Sequence, residues 1–396
     1  MSGSHMPVRL SVQTETQQDK AEASGTTKPG LSPPVTPTVL ENTNTSVANP
    51  TESLESTAQT TSIPFHYDEE LELQHDPKGR PLEYGRGAWS VVYKASSRTT
   101  STSSPLMTPP SSPAPGGRIV AVKSPVRRDA FDVLDAEALT LTRVSMVPGS
   151  ERYVVPFHGY VADTHSIVMS AVPLALSTYI EDKAAIAQKQ FSTKTMFDPV
   201  QGMAQWHDLA RKLVAGLDWL QNTAGIVHGD IKPHNLLLRP RPGIDPESDN
   251  FSYEPLFADF SSAHSITGSS LSAEKNTGAA LTALTPPFAA PELLSVSSLT
   301  SPDVAPTPAS DVFSLAVTLL AAATGDLLLY PGASNMQRLV MAREGHRVID
   351  FARSGANGSR VPKNGIVEQI LTPAITKDPA QRVTPGQWLS RVETAM

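Results

Sequence analysis

The stretch Ile226-Val-His-Gly-Asp-Ile-Lys-Pro-His-Asn-Leu-Leu-Leu238 constrains this chain more than any other. An apolar strand end leads into a polar turn, and a second apolar strand follows. The turn carries an acid (Asp230), a lysine two residues on (Lys232) and an amide five residues on (Asn235). These types suit phosphoryl transfer. A carboxylate can orient an attacking hydroxyl and receive its proton, and a lysine can offset charge on the moving phosphoryl group. An amide oxygen can hold a metal ion. A polar turn between a helix and a hairpin is the plain alternative, and it does not account for this combination.

Three weaker signals gain meaning beside it. Gly85-Arg-Gly87-Ala-Trp-Ser90-Val-Val92 has two glycines two apart, which let a strand–turn–strand backbone approach phosphates, although a tight turn needs no more than this. Val120-Ala121-Val122-Lys123 ends an apolar strand on a cation. Lys123 is either a solvated edge residue or a phosphate ligand with Glu137 of the next helix as its partner. In Leu256-Phe-Ala-Asp259-Phe260-Ser261 an acid leaves a short strand, placed either as a Mg²⁺ ligand or as a strand-end cap.

Composition narrows the rest. The 396 residues include 35 prolines and no cysteine, which excludes disulfides, thiolate metal sites and cysteine nucleophiles. The net charge of −7 argues against a nucleic-acid partner. No apolar run is long enough for a membrane span and the N-terminus lacks a secretory pattern, so a cytoplasmic or nuclear location is expected. Residues 1–62 hold no aromatic residue and are about a third Ser or Thr, so they read as a disordered tail. Residues 96–117 read as a disordered insertion between two strands, which loop closure tolerates. Strands are expected at 84–95, 119–124, 154–161 and 166–171, with a helix at 129–144. Helices are expected at 206–222, 311–324, 367–376 and 384–394. The layout is α+β and two-lobed, a small β-rich lobe with one helix to about residue 170 and a larger helical lobe from 171 to 396.

In order and type these motifs resemble the eukaryotic protein kinase family, on the Ser/Thr side, over about residues 82–392. The glycine-rich turn, Lys123 in VAVK, Glu137, HGDIKPHN, Asp259-Phe260-Ser261, Ala290-Pro291-Glu292, Asp311 and Arg382 follow the family's sequence of motifs. The resemblance implies a two-lobed fold, ATP and Mg²⁺ as cofactors, and a protein substrate. It implies Asp230 as catalytic base, Lys232 on the γ-phosphate, and Asn235 and Asp259 as metal ligands. Gly85 and Gly87 would cover the phosphates, and Lys123 held by Glu137 would bind them. Val92, Ala121 and Leu237 would enclose the adenine, with Met169 behind it and Ala171 and Val172 in the hinge. Leu141, His228 and Phe260 would stack between the lobes. Lys232 and Thr285 look like the Ser/Thr branch. Glu292 should pair with Arg382.

Three positions depart from the pattern. Gly229 stands where the family has arginine, Ser261 where it has the glycine of D-F-G, and Ser90 at the third loop glycine. Without the arginine, a phosphate on the activation loop lacks a main receiver, so activity independent of that phosphorylation is expected. A pseudokinase scaffold is the first rival reading. The second is a small-molecule phosphotransferase of the aminoglycoside or choline kinase type, against which Lys232, Glu292, Asp311 and Arg382 argue. Ser32, Thr36, Ser104, Thr108 and Ser112 each precede proline and offer sites to a proline-directed kinase, or simply follow from composition.

Overall fold

The computed structural model describes residues 61–98, 117–241, 243, 251–266, 284–295, 297–298, 304–330 and 334–395. The five Ser/Thr-Pro dipeptides, residues 1–60 of the tail and residues 99–116 of the insertion lie outside the described residues.

The first lobe is an antiparallel sheet with one long helix. Its strands are β1 (Glu70–Leu73), β2 (Glu83–Arg86), β3 (Ser90–Arg98), β4 (Arg118–Pro125), β5 (Phe157–Val161) and β6 (Ser166–Ser170). The spatial order is β1-β3-β4-β6-β5, with β2 also on β3. The expected 84–95 strand is thus a hairpin that turns at Gly87, whose N–H donates to the Ser90 carbonyl (2.8 Å). β1 was not expected. Strand β3 also runs on through Ser96–Arg98, which composition assigned to the insertion. Ser97 pairs there with Arg118, and its hydroxyl meets Tyr67 and Glu69, so these polar residues have partners inside a sheet.

Strand alternation decides which side chains face the cleft. Val120, Val122, Val168 and Ala95 pack on one face with Tyr67. The opposite face carries Ala121 and Lys123, and register adds Val92 opposite Lys123 and Met169 opposite Ala121. Helix α1 (Phe131–Ser145) packs beneath this second face. It buries Leu134, Glu137, Ala138, Leu141 and Val144, a stripe at helical spacing. A short turn, α2 (Ser150–Tyr153), follows.

The second lobe is mainly helical: α3 (Leu176–Lys189), α4 (Met203–Asp218), α5 (Pro308–Thr324), α6 (Asn335–Arg343), α7 (Val348–Arg353), α8 (Ile366–Leu371) and α9 (Pro385–Thr394). In α4, Trp206, Leu209, Ala210, Leu213, Val214 and Leu217 are buried, and the Trp206 indole N–H donates to the Leu319 carbonyl of α5 (2.9 Å). Helix α5 is buried on all sides, starts at a Thr307/Ser310 capping box and stops at Gly325, whose φ is 73°. It forms the centre of the lobe. Two small ladders lie at the cleft: β7 (Ile226–Val227) with β10 (His264–Ser265), and β8 (Leu236–Pro240) with β9 (Tyr253–Phe257).

The expected Glu292–Arg382 pair is present and bidentate, with both N···O distances 2.7 Å. The same guanidinium donates to the carbonyls of Ala309 (2.9 Å) and Thr376 (3.1 Å) and sits over the Phe313 ring. One side chain thus ties the 291–294 turn to the start of α5 and to the 376–382 loop. Arg382→Ala strands a half-buried carboxylate and two carbonyls. We expect a loss of about 2–3 kcal/mol, reduced from the fully buried case because Glu292 keeps some solvent contact. Denaturant unfolding monitored by tryptophan fluorescence reads it; an unchanged midpoint would contradict it.

Candidate active site

The polar turn Val227–Leu236 joins the two small ladders. Asp311, at the start of buried α5, holds it from below, accepting the His228 N–H on Oδ2 (2.7 Å) and the Gly229 N–H on Oδ1 (3.0 Å). Burial pushes the Asp311 carboxyl up to about 7, against those two N–H bonds that favour its charge. Gly229 has φ +82°, and an added Cβ would lie 2.6 Å from the Ser262 carbonyl oxygen. Glycine is required here both by conformation and by space.

The same turn brings its three chemical groups together. Asp230 Oδ2 accepts from Lys232 Nζ (2.6 Å) and Asn235 Nδ2 (2.9 Å). Lys232 Nζ also donates to the Thr285 hydroxyl (3.0 Å). Burial raises the Asp230 carboxyl to about 6, with Lys232 and Asn235 pulling the other way. Because Asn235 Nδ2 is directed at Asp230, its Oδ1 points elsewhere. Asn235 and Asp259 stand at one end of the β8–β9 ladder, where the Ala258 N–H donates to the Asn235 carbonyl (2.9 Å).

Across the cleft, Lys123 Nζ donates to both Glu137 oxygens (2.7 and 2.6 Å) and to Asp259 Oδ1 (2.8 Å). Burial opposes the lysine's charge, but the Asp259 and Glu137 carboxylates outweigh it and hold its pKa above the ordinary value. For Asp259 the balance is reversed in sign. Burial pushes it up, Lys123 more than offsets this, and its carboxyl is held well below the usual carboxylate range. Glu137 Oε1 also accepts the Phe260 N–H (3.0 Å), so one carboxylate links α1, β4 and the segment after β9. Asp259 adopts a left-handed φ of 62°, an uncommon conformation for a non-glycine residue. The Ser261 hydroxyl donates to its Oδ1 (2.7 Å).

Between these groups lies an apolar column. The His228 and Phe260 rings are 4.9 Å apart, and Phe260 lines a small cavity with Leu141, Glu137, Met169 and Phe257. Burial lowers the His228 pKa to about 4. Its Nε2 faces the Ala258 carbonyl (3.1 Å), so the neutral ring donates there.

The model of the protein kinase domain family matches residues 114–392. The chain belongs to the protein kinase family. Comparison with curated proteins gives no match. The two-lobed expectation therefore holds, in family and in architecture.

The kinase brings Lys123, Glu137 and Asp259 into one ionic cluster, and Asp230, Lys232, Asn235 and Thr285 into another. Val92, Ala121 and Met169 share the cleft face of the sheet by register. Leu237 bridges Ala175 just beyond the connection carrying Ala171 and Val172. The family match starts after the glycine-rich turn, so Gly85 and Gly87 stand on geometry alone. Both are exposed; a Cβ at Gly85 would meet nothing, and one at Gly87 only the Ser90 carbonyl at 3.9 Å. Packing within the chain does not demand glycine at either place. Sequence reasoning cited Asp311 as one of the family motifs but not its bonds to the His228 and Gly229 N–H groups, and missed the hydroxyl bond from Ser261.

Among the described residues, no group of three or more His, Cys, Asp and Glu side chains forms a metal site. Asn235 and Asp259 offer two oxygen donors. That set fits Mg²⁺, which retains water and takes phosphate oxygens rather than a full protein cage.

Proposed function

We propose that the chain is an active Ser/Thr protein kinase that transfers the γ-phosphate of ATP to protein hydroxyls. Family membership supports phosphotransferase chemistry in general. The observation that carries the finer reading is the pair of ionic clusters facing one cleft, with every charged group of the chemistry kept. The domain is read as 63–396, with its smaller lobe ending near residue 170.

In this reading Asp230 orients the incoming hydroxyl and accepts its proton; Lys232 and Asn235, both bonded to its Oδ2, hold the carboxylate's rotamer, and Thr285 in turn holds Lys232. Lys232 Nζ lies beside Asp230, where it offsets charge on the transferred phosphoryl. Lys123, fixed by Glu137, holds the α/β-phosphates, and the open backbone at Gly85 and Gly87 lets them approach. Val92, Ala121, Leu237 and Met169 supply apolar walls for the adenine, and Ala171 and Val172 its main-chain contacts. Mg²⁺ held by Asn235 and Asp259 neutralises phosphate charge when bound. Asp259 suits that role because its carboxylate stays ionised. Gly229 leaves no arginine for an activation-loop phosphate, and Ser262 packs directly on it, so transfer proceeds without that modification. The five Ser/Thr-Pro dipeptides, two in the tail and three in the insertion, remain open to a proline-directed kinase.

The test is to incubate the phosphatase-treated chain with Mg-ATP and a basic protein, then analyse the labelled amino acids. Phosphoserine and phosphothreonine are expected; phosphotyrosine would contradict the Ser/Thr reading. Nucleotide binding without transfer would point to a scaffold.

A pH profile adds a second check. A base acts only when deprotonated, and the Asp230 carboxyl titrates at about 6. Thus kcat/KM should be level above neutrality and fall about tenfold per pH unit below about 6. A profile flat from pH 5 to 8 would contradict Asp230 as the base.

A further inference from the structure

Phe65 and Tyr67 are the first aromatic residues of the chain, and they lie in a segment that the chemistry above does not use. Thr61–Tyr67 crosses the outer side of the small lobe. The Phe65 carbonyl accepts the Tyr160 N–H of β5 (2.7 Å), and the Tyr67 N–H donates to the Tyr160 carbonyl (3.0 Å). The segment therefore extends the sheet beyond β5, with His66 in parallel register on Tyr160. Tyr67 is anchored in the upper apolar cluster.

The other side of the same residue reaches α1. The Phe65 N–H donates to the Thr142 hydroxyl (3.0 Å), which in turn donates to the Ala138 carbonyl (2.8 Å). Arg143 Nε donates to the Thr61 carbonyl (3.1 Å). So one residue, Phe65, ties β5 through its C=O and α1 through its N–H. The side chains of Ile63 and Phe65 are exposed, so main-chain bonds hold the segment here rather than apolar burial. Gly159 of β5 is shaped for it. Its φ is +151°, and an added Cβ would lie 2.9 Å from Tyr67 Cβ and 3.1 Å from the His66 carbonyl.

Thr142 lies one turn and a residue beyond Glu137 on the same helix, and its bond to Ala138 ends beside that glutamate. We propose that Thr61–Tyr67 is a strap that holds α1 where Glu137 meets Lys123, and that Thr142 is the positioning residue through which it acts. The proposal rests on the kinase reading of the Lys123–Glu137 pair. The strap adds an intramolecular control on the site from a segment directly joined to the Ser/Thr-rich tail.

The test uses the full chain with Thr142→Val, Thr142→Ser and Gly159→Ala. Hydrogen exchange is followed at the amides around Glu137 and in the strap, alongside kcat and the KM for ATP. Losing one hydrogen bond shifts a two-state balance by about fivefold. Thr142→Val should therefore speed exchange in α1 by about fivefold and reduce kcat/KM for ATP by a similar factor. Thr142→Ser keeps the hydroxyl and should restore both. Gly159→Ala, which displaces the strap from the β5 side, should reproduce the Thr142→Val result without touching α1. Faster exchange confined to residues 65–67, with α1 and the kinetics unchanged, would overturn the proposal and leave the segment a plain sheet edge. Exchange is read without catalysis, so it is independent of the kinase reading. That reading is overturned instead if Glu137→Gln leaves transfer unchanged.

Discussion

Putting arginine at Gly229, and so restoring the family's H-R-D, should damage this kinase rather than improve it. The backbone there has φ +82°, and the Cβ of any replacement would meet the Ser262 carbonyl at 2.6 Å and the Pro306 ring at 3.3 Å. A left-handed non-glycine residue costs about 1–3 kcal/mol, and forcing atoms into packed backbone costs a similar amount. We expect Gly229→Arg to lose about 4 kcal/mol and to lower Tm by about 6 °C in a domain of this size. Most of the loss should already appear in Gly229→Ala, because the first side-chain carbon makes the clash. The N–H of Gly229 is also one of the two that Asp311 accepts, so the distortion passes into the turn bearing Asp230. Calorimetry and initial rates on both variants check this. An arginine variant that is as stable as the parent and more active would contradict it.

The second large effect falls on rate alone. Asp230→Asn keeps the shape and the contact with Asn235 but removes the proton acceptor. General-base assistance is worth about 10²–10⁴ in rate, so kcat should fall by about 10³. ATP affinity should hardly change, because the nucleotide is assigned to Lys123, the glycine-rich turn and the sheet face. Folding should survive as well. Burial already disfavours the charge of Asp230, and a neutral amide relieves that cost while depriving Lys232 of its counter-ion. Stopped-flow or quench-flow transfer, measured beside equilibrium nucleotide binding, separates the two. Equal loss of binding and of rate would mean that Asp230 is structural.

The groups assigned to the chemistry were legible because residue type and short spacing encode them. Asp230, Lys232 and Asn235 sit in one turn, so sequence distance stands in for spatial distance. Lys123 and Glu137 were legible as a pair because the strand and helix that carry them are adjacent in sequence, and both are buried where they meet. What sequence could not give depends on long-range packing. The bonds from His228 and Gly229 to Asp311 span more than eighty residues, and nothing local to Asp311 announces them. Gly229 was read as the loss of an arginine. Its second meaning, that Ser262 fills the space, needs the tertiary approach. Ser261 was read only as the replacement of a glycine, yet its hydroxyl bonds Asp259, and a hydroxyl's choice of partner is not written in its neighbours. Strand β1 was missed because Glu70-Leu-Glu-Leu73 is short and half charged; pairing with β3 makes it a strand. The polar start of the insertion, Ser96–Arg98, was misplaced for the same reason.

The account stands or falls on what happens to the terminal phosphoryl group of ATP. In a single-turnover experiment the full chain, in excess over γ-labelled ATP and with Mg²⁺ and a basic protein present, should move the label onto serine and threonine. The transfer should stop when the metal is chelated. Label that remains in ATP, while a parallel titration shows the nucleotide bound, would contradict it.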